Sequence, residues 1–370
     1  MPTQTEVFEE FVQRQFGTTR YQGDDHLVND LLGRGRIYAN AVHGFPTTKV
    51  GKPCTYIDIA DMSQLNACAC RYENTDIIAL FKGSAEVIVS LFKHILAHPH
   101  TFNGIGNAQV EEAPEPRLSL RPDTAYMPAP VAGPFDPSRQ LVAALLYDFA
   151  RQFLFAHEIA HVRFGHVHYL NDHVGQNFIE EIIDADAGDE AEEPITRQTF
   201  EMNADSFAVA QGLDNLYPQV KTITDRLGSN LSNDLAALFG DGMRVLELWL
   251  YAIHAFFRLL ACKPFDVNRL AMGSHPPARV RQIWILQTLW TRCQAGLVDI
   301  SLDDAMRLSF SVATTVENDI ATIMNVQPER SGLAIATEPA VDVHLDLLRT
   351  RWTELRDRLE NLSYGTELAI

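Results

Sequence analysis

Hydrophobic positions change their period along the chain. In the first third they fall in short runs, Ile37-Tyr38-Ala39-Asn40-Ala41-Val42, Thr55-Tyr56-Ile57-Asp58-Ile59 and Asp76-Ile77-Ile78-Ala79-Leu80-Phe81, which predict strands. After Gly83-Ser84 the spacing becomes helical through about Ala97, with Val87, Ile88, Leu91, Phe92 and Ile95 on one face. From Ala113 to Pro137 seven prolines, Pro137 included, forbid any regular period and predict an extended connection over the surface.

Asp136-Pro137 reads as an N-cap followed by a first-turn proline. Leu141, Leu145, Leu146, Phe149, Phe153, Leu154, Ile159 and Val162 continue from it as the stripe of a long, largely buried helix. From Glu180 to Glu193 the chain carries a run of acidic residues with no basic one, which predicts a solvated loop. Beyond Thr199 the pattern is almost entirely helical and ends in an amphipathic segment from about Val341 to Leu362. Val245 to Cys262 is apolar enough to suggest a membrane span, but Glu247, His254 and Arg258 lie inside it, so a buried core helix is expected. The expected class is α+β, mostly helical, with a small N-terminal sheet and a helical C-terminal part. Three regions are expected: 1–125, an N-terminal α/β part; 126–290, the core that carries the chemistry; and 291–370, a helical region.

At 370 residues and 46% hydrophobic content the chain has ample material for a core. A formal net charge of −18 argues against nucleic acid or an anionic membrane as partner, since both require a basic surface. The first residues show neither a basic start nor an apolar run, and the five cysteines form no disulfide framework, so a cytoplasmic protein with reduced thiols is expected. Cys68-Ala69-Cys70 is too short a signal to be a metal site by itself.

The chemistry lies in His157-Glu158-Ile159-Ala160-His161, the HExxH pattern of zinc metalloproteases. Residues four apart share a helix face, so both imidazoles can give a ring nitrogen to one Zn2+ ion while Glu158 reaches a water bound to it. A catalytic zinc usually takes three protein ligands and keeps one position open, so a third ligand is required. The metzincin spacing would need a His and a Gly where Val167 and Phe164 stand. His168 shares the helix face but lies about 16 Å along the axis from His157, out of reach unless the chain reverses near Gly165. His166 and His173 meet the same objection and read as helix-end or surface histidines.

Two Glu-x-x-x-Asp segments remain, Glu180 to Asp184 and Glu201 to Asp205. Glu201 is preferred because Phe200, Ala204, Phe207, Ala208 and Ala210 give it a packed helical setting, whereas Glu180 lies in the acidic run. Ala204 lets such a helix approach the motif helix, and Asp205 is placed to orient a ligating imidazole.

HEIAHVRFGH (157–166), EMNADSFA (201–208) and HPPARVR (275–281), in this order around a long apolar helix, resemble the gluzincins of the CAAX prenyl protease and HtpX type. With the segment ending in TDIIALFKGSAEVIVSLFKHILAHP (75–99), the chain also resembles the phage-exclusion protease Lit family. The likeness spans about residues 75–285. It implies a zincin-type two-helix active site in which His157, His161 and Glu201 hold one zinc, Glu158 is the base, and His275 or Arg281 lies near the scissile group. His254 and Tyr251 on the preceding helix are weaker candidates.

The expected function is a soluble zinc endopeptidase acting on a protein or peptide, as an anti-phage or toxin-like effector if the likeness extends to purpose, with an activating or inhibitory protein partner. The alternative is a binding or regulatory module whose metal site is structural or idle. The intact Glu158 weighs against it.

Overall fold

The computed structural model describes residues 2–43, 55–114, 133–175, 178–180, 192–261, 265–328, 335 and 338–364. Four strands, β1 (Thr55–Ala60), β2 (Ala67–Tyr72), β3 (Thr75–Phe81) and β4 (Phe178–Glu180), form one sheet in the order β1-β3-β2-β4. β1 runs parallel to β3, and β2 pairs antiparallel with both β3 and β4. Alternation along the strands gives the sheet two apolar faces. Cys68, Cys70, Ile77, Ala79 and Phe81 pack with Val7, Phe8, Phe11 and Val12 of α1 (Gln4–Phe16). Ala67, Ala69, Ile78 and Leu80 join the main core. Cys68 and Cys70 are buried free thiols, consistent with incidental cysteines.

The expected strand at 37–42 does not exist: these residues lie in α2 (His26–His43), which packs on β1, α3 and α4. A six-residue apolar run has no period long enough to separate strand from helix. The strands expected around 57 and 78 are present as β1 and β3. α3 (Lys82–Ala97) follows β3 without a break. Most of the proline-rich connection and of the acidic run lies outside the described residues.

The molecule is organised on α4 (Pro137–Arg163), which packs against α2, α3, the sheet, α6 (Glu192–Leu227) and α8 (Gly242–Leu260). Its start is tied down as the sequence suggests: Asp136 accepts from Ser138 N at 2.8 Å and Arg139 N at 3.0 Å, with Pro137 in the first turn. Arg139 is wholly buried and donates to the carbonyls of Leu96, His98, Thr101, Phe102 and Ile105, which anchors α4 to the end of α3. A buried guanidinium is tolerated when its donors are used in this way.

α5 (His166–His173), α7 (Asn233–Gly240), α9 (Ala278–Gln294), α10 (Leu302–Met324) and α11 (Pro339–Glu360) complete the described helices. α8 is the buried core helix expected at 245–262, and no helix among the described residues is long and apolar enough to cross a membrane. The whole is a mostly helical α+β fold around a small sheet.

Gly165 ends α4 in the left-handed region, φ 77°, and turns the chain into α5. Residues 362–364 close over this turn. A Cβ on Gly165 would meet the Leu362 carbonyl carbon at 2.7 Å, and Tyr364 N donates to Arg163 O at 2.8 Å. The Tyr364 hydroxyl donates to the buried Asp76 at 2.6 Å, within a cluster that includes Arg71 and His168. Gly165→Ala is expected to cost about 1–2 kcal/mol for the left-handed backbone and more for the clash with Leu362. Urea denaturation of the purified variant measures it, and a loss under about 0.5 kcal/mol contradicts the constraint.

Candidate metal centre

α4 and α6 lie side by side, with Ala204 and Ala208 wholly buried, so the backbones approach closely. This contact brings His157 and His161 of α4 against Glu201 of α6. The two Nε2 atoms are 3.0 Å apart; His157 Nε2 is 3.4 Å from Glu201 Oε2, and His161 Nε2 is 3.4 Å from Glu201 Oε1. All three side chains are about 1% exposed. Neither carboxylate oxygen of Glu201 accepts a hydrogen bond among the described residues.

The donor set fits a metal ion. Ligands at about 2.0–2.1 Å in tetrahedral directions stand about 3.3 Å from one another, close to the three separations found here. Burial, and then the charge of neighbouring His157, hold the His161 ring far below its ordinary value of 6.5, which keeps it neutral with a lone pair to give. The Glu201 oxygens find no hydrogen-bond donor among the described residues, and burying a carboxylate in that way is otherwise unfavourable.

Each ring is held from behind. His157 Nδ1 is 2.9 Å from Asp205 Oδ1, and Asp205 takes two bonds from Arg281 of α9, Nε to Oδ2 at 2.8 Å and the second terminal nitrogen to Oδ1 at 2.7 Å. The other terminal nitrogen of Arg281 stands 3.6 Å from Glu201 Oε2. His161 Nδ1 is 3.1 Å from His166 Nδ1. The turn at Gly165 folds His166 back onto the ring one turn earlier; it stands at a helix end, as expected, but at the start of α5 and buried rather than on the surface. His166 is wholly buried, and burial is the main force taking its value down to about 3. Nothing in the spacing of helical faces reveals this contact, because it depends on the helix stopping at residue 163.

Glu158 is buried on α4 beside His157, and its charge is felt by the thiols of Cys68 and Cys70 on β2. His275 precedes α9 and points Nε2 at Glu201 Oε1, 3.6 Å away, while Ser274 Oγ lies 2.9 Å from its Nδ1. At 14% side-chain exposure it is more open than His157, His161, Glu201, Asp205 or Arg281. The remaining candidates are elsewhere. Glu180 ends β4 and accepts from the Asn66 amide at 3.2 Å, its carboxyl pushed up to about 7 by burial. His168 belongs to the Asp76 and Tyr364 cluster. His173 closes α5, where its Nδ1 meets Tyr169 O at 3.1 Å. Tyr251 donates to Asp319 at 2.8 Å, and His254 is a core imidazole brought to about 4 by burial and then by Arg279.

Residues 114–292 match the model of one family. The chain is similar to Peptidase U49. That span, slightly under half of the 370 residues, contains both histidines of the motif, Glu158, Glu201, Asp205, His275 and Arg281, and the Peptidase U49 match supports a peptidase. No curated protein and no solved structure matches the chain.

Asp205→Ala leaves the Arg281 guanidinium buried without its carboxylate and is expected to cost about 3–5 kcal/mol. Asp205→Ala combined with Arg281→Met should cost less than the two changes summed, a coupling that a double-mutant cycle in urea detects. His254 carries a pH dependence of fixed sign. In the unfolded chain its ring takes up a proton near 6.5, whereas in the fold it stays neutral down to about 4, so stability is lost as pH falls through this window. The stability gap between wild type and His254→Leu therefore shrinks from pH 7 to pH 4.5, as parallel denaturation series would record.

Proposed function

We propose that the chain is a zinc-dependent endopeptidase of the gluzincin type, with His157, His161 and Glu201 as the ligands. The observation that carries this reading is the burial of two imidazole nitrogens 3.0 Å apart, each 3.4 Å from a carboxylate that accepts no hydrogen bond among the described residues, which is tetrahedral ligand spacing. The donor set of two imidazoles and one carboxylate is that of catalytic rather than structural zinc, which leaves a fourth position for water or substrate. When bound, the metal lowers the pKa of a water from about 15.7 towards 7 and polarises the scissile carbonyl.

The chain's own residues do the rest. Glu158 accepts the proton of the attacking water and passes it to the leaving amine. His275 would donate to the developing oxyanion, a reading supported by an Nε2 that makes no hydrogen bond among the described residues and by the most open position in the cluster. Arg281 acts beside it, holding Asp205 and stabilising the Glu201 carboxylate by charge. The substrate is a protein or peptide. The resemblance to the Lit family supports a cytoplasmic anti-phage or toxin-like effector, with activity governed by a protein partner.

Glu158→Gln is expected to retain about one zinc per chain. Its hydrolysis of a quenched casein substrate should fall about 10²–10⁴-fold. Glu201→Ala should lose the metal, as read by inductively coupled plasma analysis after gel filtration, while Glu180→Ala should keep it. Full activity in Glu158→Gln, or metal retention in Glu201→Ala, would sink the mechanism.

A further inference from the structure

The two motif imidazoles are supported by groups of different kind. His157 has the carboxylate that usually orients a metal-bound imidazole. His161 has another imidazole, His166, and the zinc reading assigns which ring atoms carry protons. His161 Nε2 faces His157 Nε2 at 3.0 Å and Glu201 Oε1 at 3.4 Å, so a neutral ring that offers Nε2 as a ligand must bear its hydrogen on Nδ1. That hydrogen points at His166 Nδ1, 3.1 Å away, which has to be the acceptor. The His166 hydrogen is therefore on Nε2. The Asn203 side chain of α6 interacts with this ring, and its Oδ1 and His166 Nε2 are both buried with no hydrogen-bond partner among the described residues, an acceptor and a donor available to each other.

His166 has little freedom to do otherwise. Its ring lies flat on Phe200 at a centroid distance of 4.4 Å and an angle of 7°. Its backbone follows Gly165, which is locked beneath Leu362.

We propose that His166 is the positioning residue for His161, accepting its Nδ1 hydrogen and so presenting Nε2 to the metal, with Asn203 fixing His166 in turn. This assignment rests on the zinc reading above, and it makes the relay Asn203, His166, His161 a neutral counterpart of the arm Arg281, Asp205, His157. A neutral acceptor orients the ring without adding negative charge to a buried site that already holds the Glu201 carboxylate.

His166→Phe keeps a flat ring against Phe200 and removes the acceptor; His166→Asn places an amide oxygen near the position of Nδ1 and restores it. By chelator competition, His166→Phe is expected to bind zinc about 10–100-fold more weakly than wild type, and His166→Asn within about threefold of it. Nitrogen-15 spectra of the metal-free protein should show His161 protonated on Nδ1 in wild type and in His166→Asn, and no longer fixed in that form in His166→Phe. Asn203→Leu is the second variant should His166→Phe fail to fold, with weaker zinc binding expected again. Unchanged affinity in His166→Phe or Asn203→Leu, or equal weakness in folded His166→Asn and His166→Phe, overturns the assignment. If wild type binds no zinc, the metal reading itself fails, and an Nε2-protonated His161 in the metal-free spectrum then overturns the positioning role as well.

Discussion

Three groups with lone pairs to give, His157 Nε2, His161 Nε2 and the Glu201 carboxylate, are pressed together out of water. A buried carboxylate without hydrogen bonds is expensive, and two imidazole nitrogens held 3.0 Å apart beside it leave the rings one arrangement. The surrounding structure is arranged to bear it. α4 is clamped along its length by α3, α6, α8 and the sheet, and its N-terminus is held by the buried Arg139. On α6 the small side chains Ala204 and Ala208 let the two backbones close to ligand distance. Arg281 brings a compensating positive charge to within 3.6 Å of Glu201.

Charge explains why the supports differ. Asp205 and Arg281 form a bidentate pair whose charges cancel, so the arm behind His157 is polar but neutral as a whole. The arm behind His161 is neutral residue by residue. Glu201 and Glu158 are left as the carboxylates of the immediate centre, one facing the histidines and the other free of that role on the same helix as the motif.

Much of this was legible in the sequence because it rests on local periodicity. Asp136-Pro137 announced the start of α4, the stripe from Leu141 to Val162 its burial, and the setting of Glu201 among Phe200, Ala204 and Ala208 the packed second helix. What escaped notice depends on contacts between distant or abruptly turned segments. Residues 37–42 are as apolar as a strand, and six residues carry too little period to tell a strand from the helix they form. β2 looked like a cysteine pair rather than the strand that joins β3 to β4. The place of His166 turns on whether the chain reverses at Gly165, which helical spacing leaves open and one left-handed glycine decides.

The closure of the Gly165 turn makes the support of His161 depend on the far end of the described chain. Tyr364 meets Asp76 across 288 positions of sequence, and Leu362 lies over the turn that carries His166. The arm behind His157 joins Asp205 and Arg281, only 76 positions apart. The two imidazoles are thus held by closures of very different length in the chain, and the one behind His161 needs both ends of the fold in place.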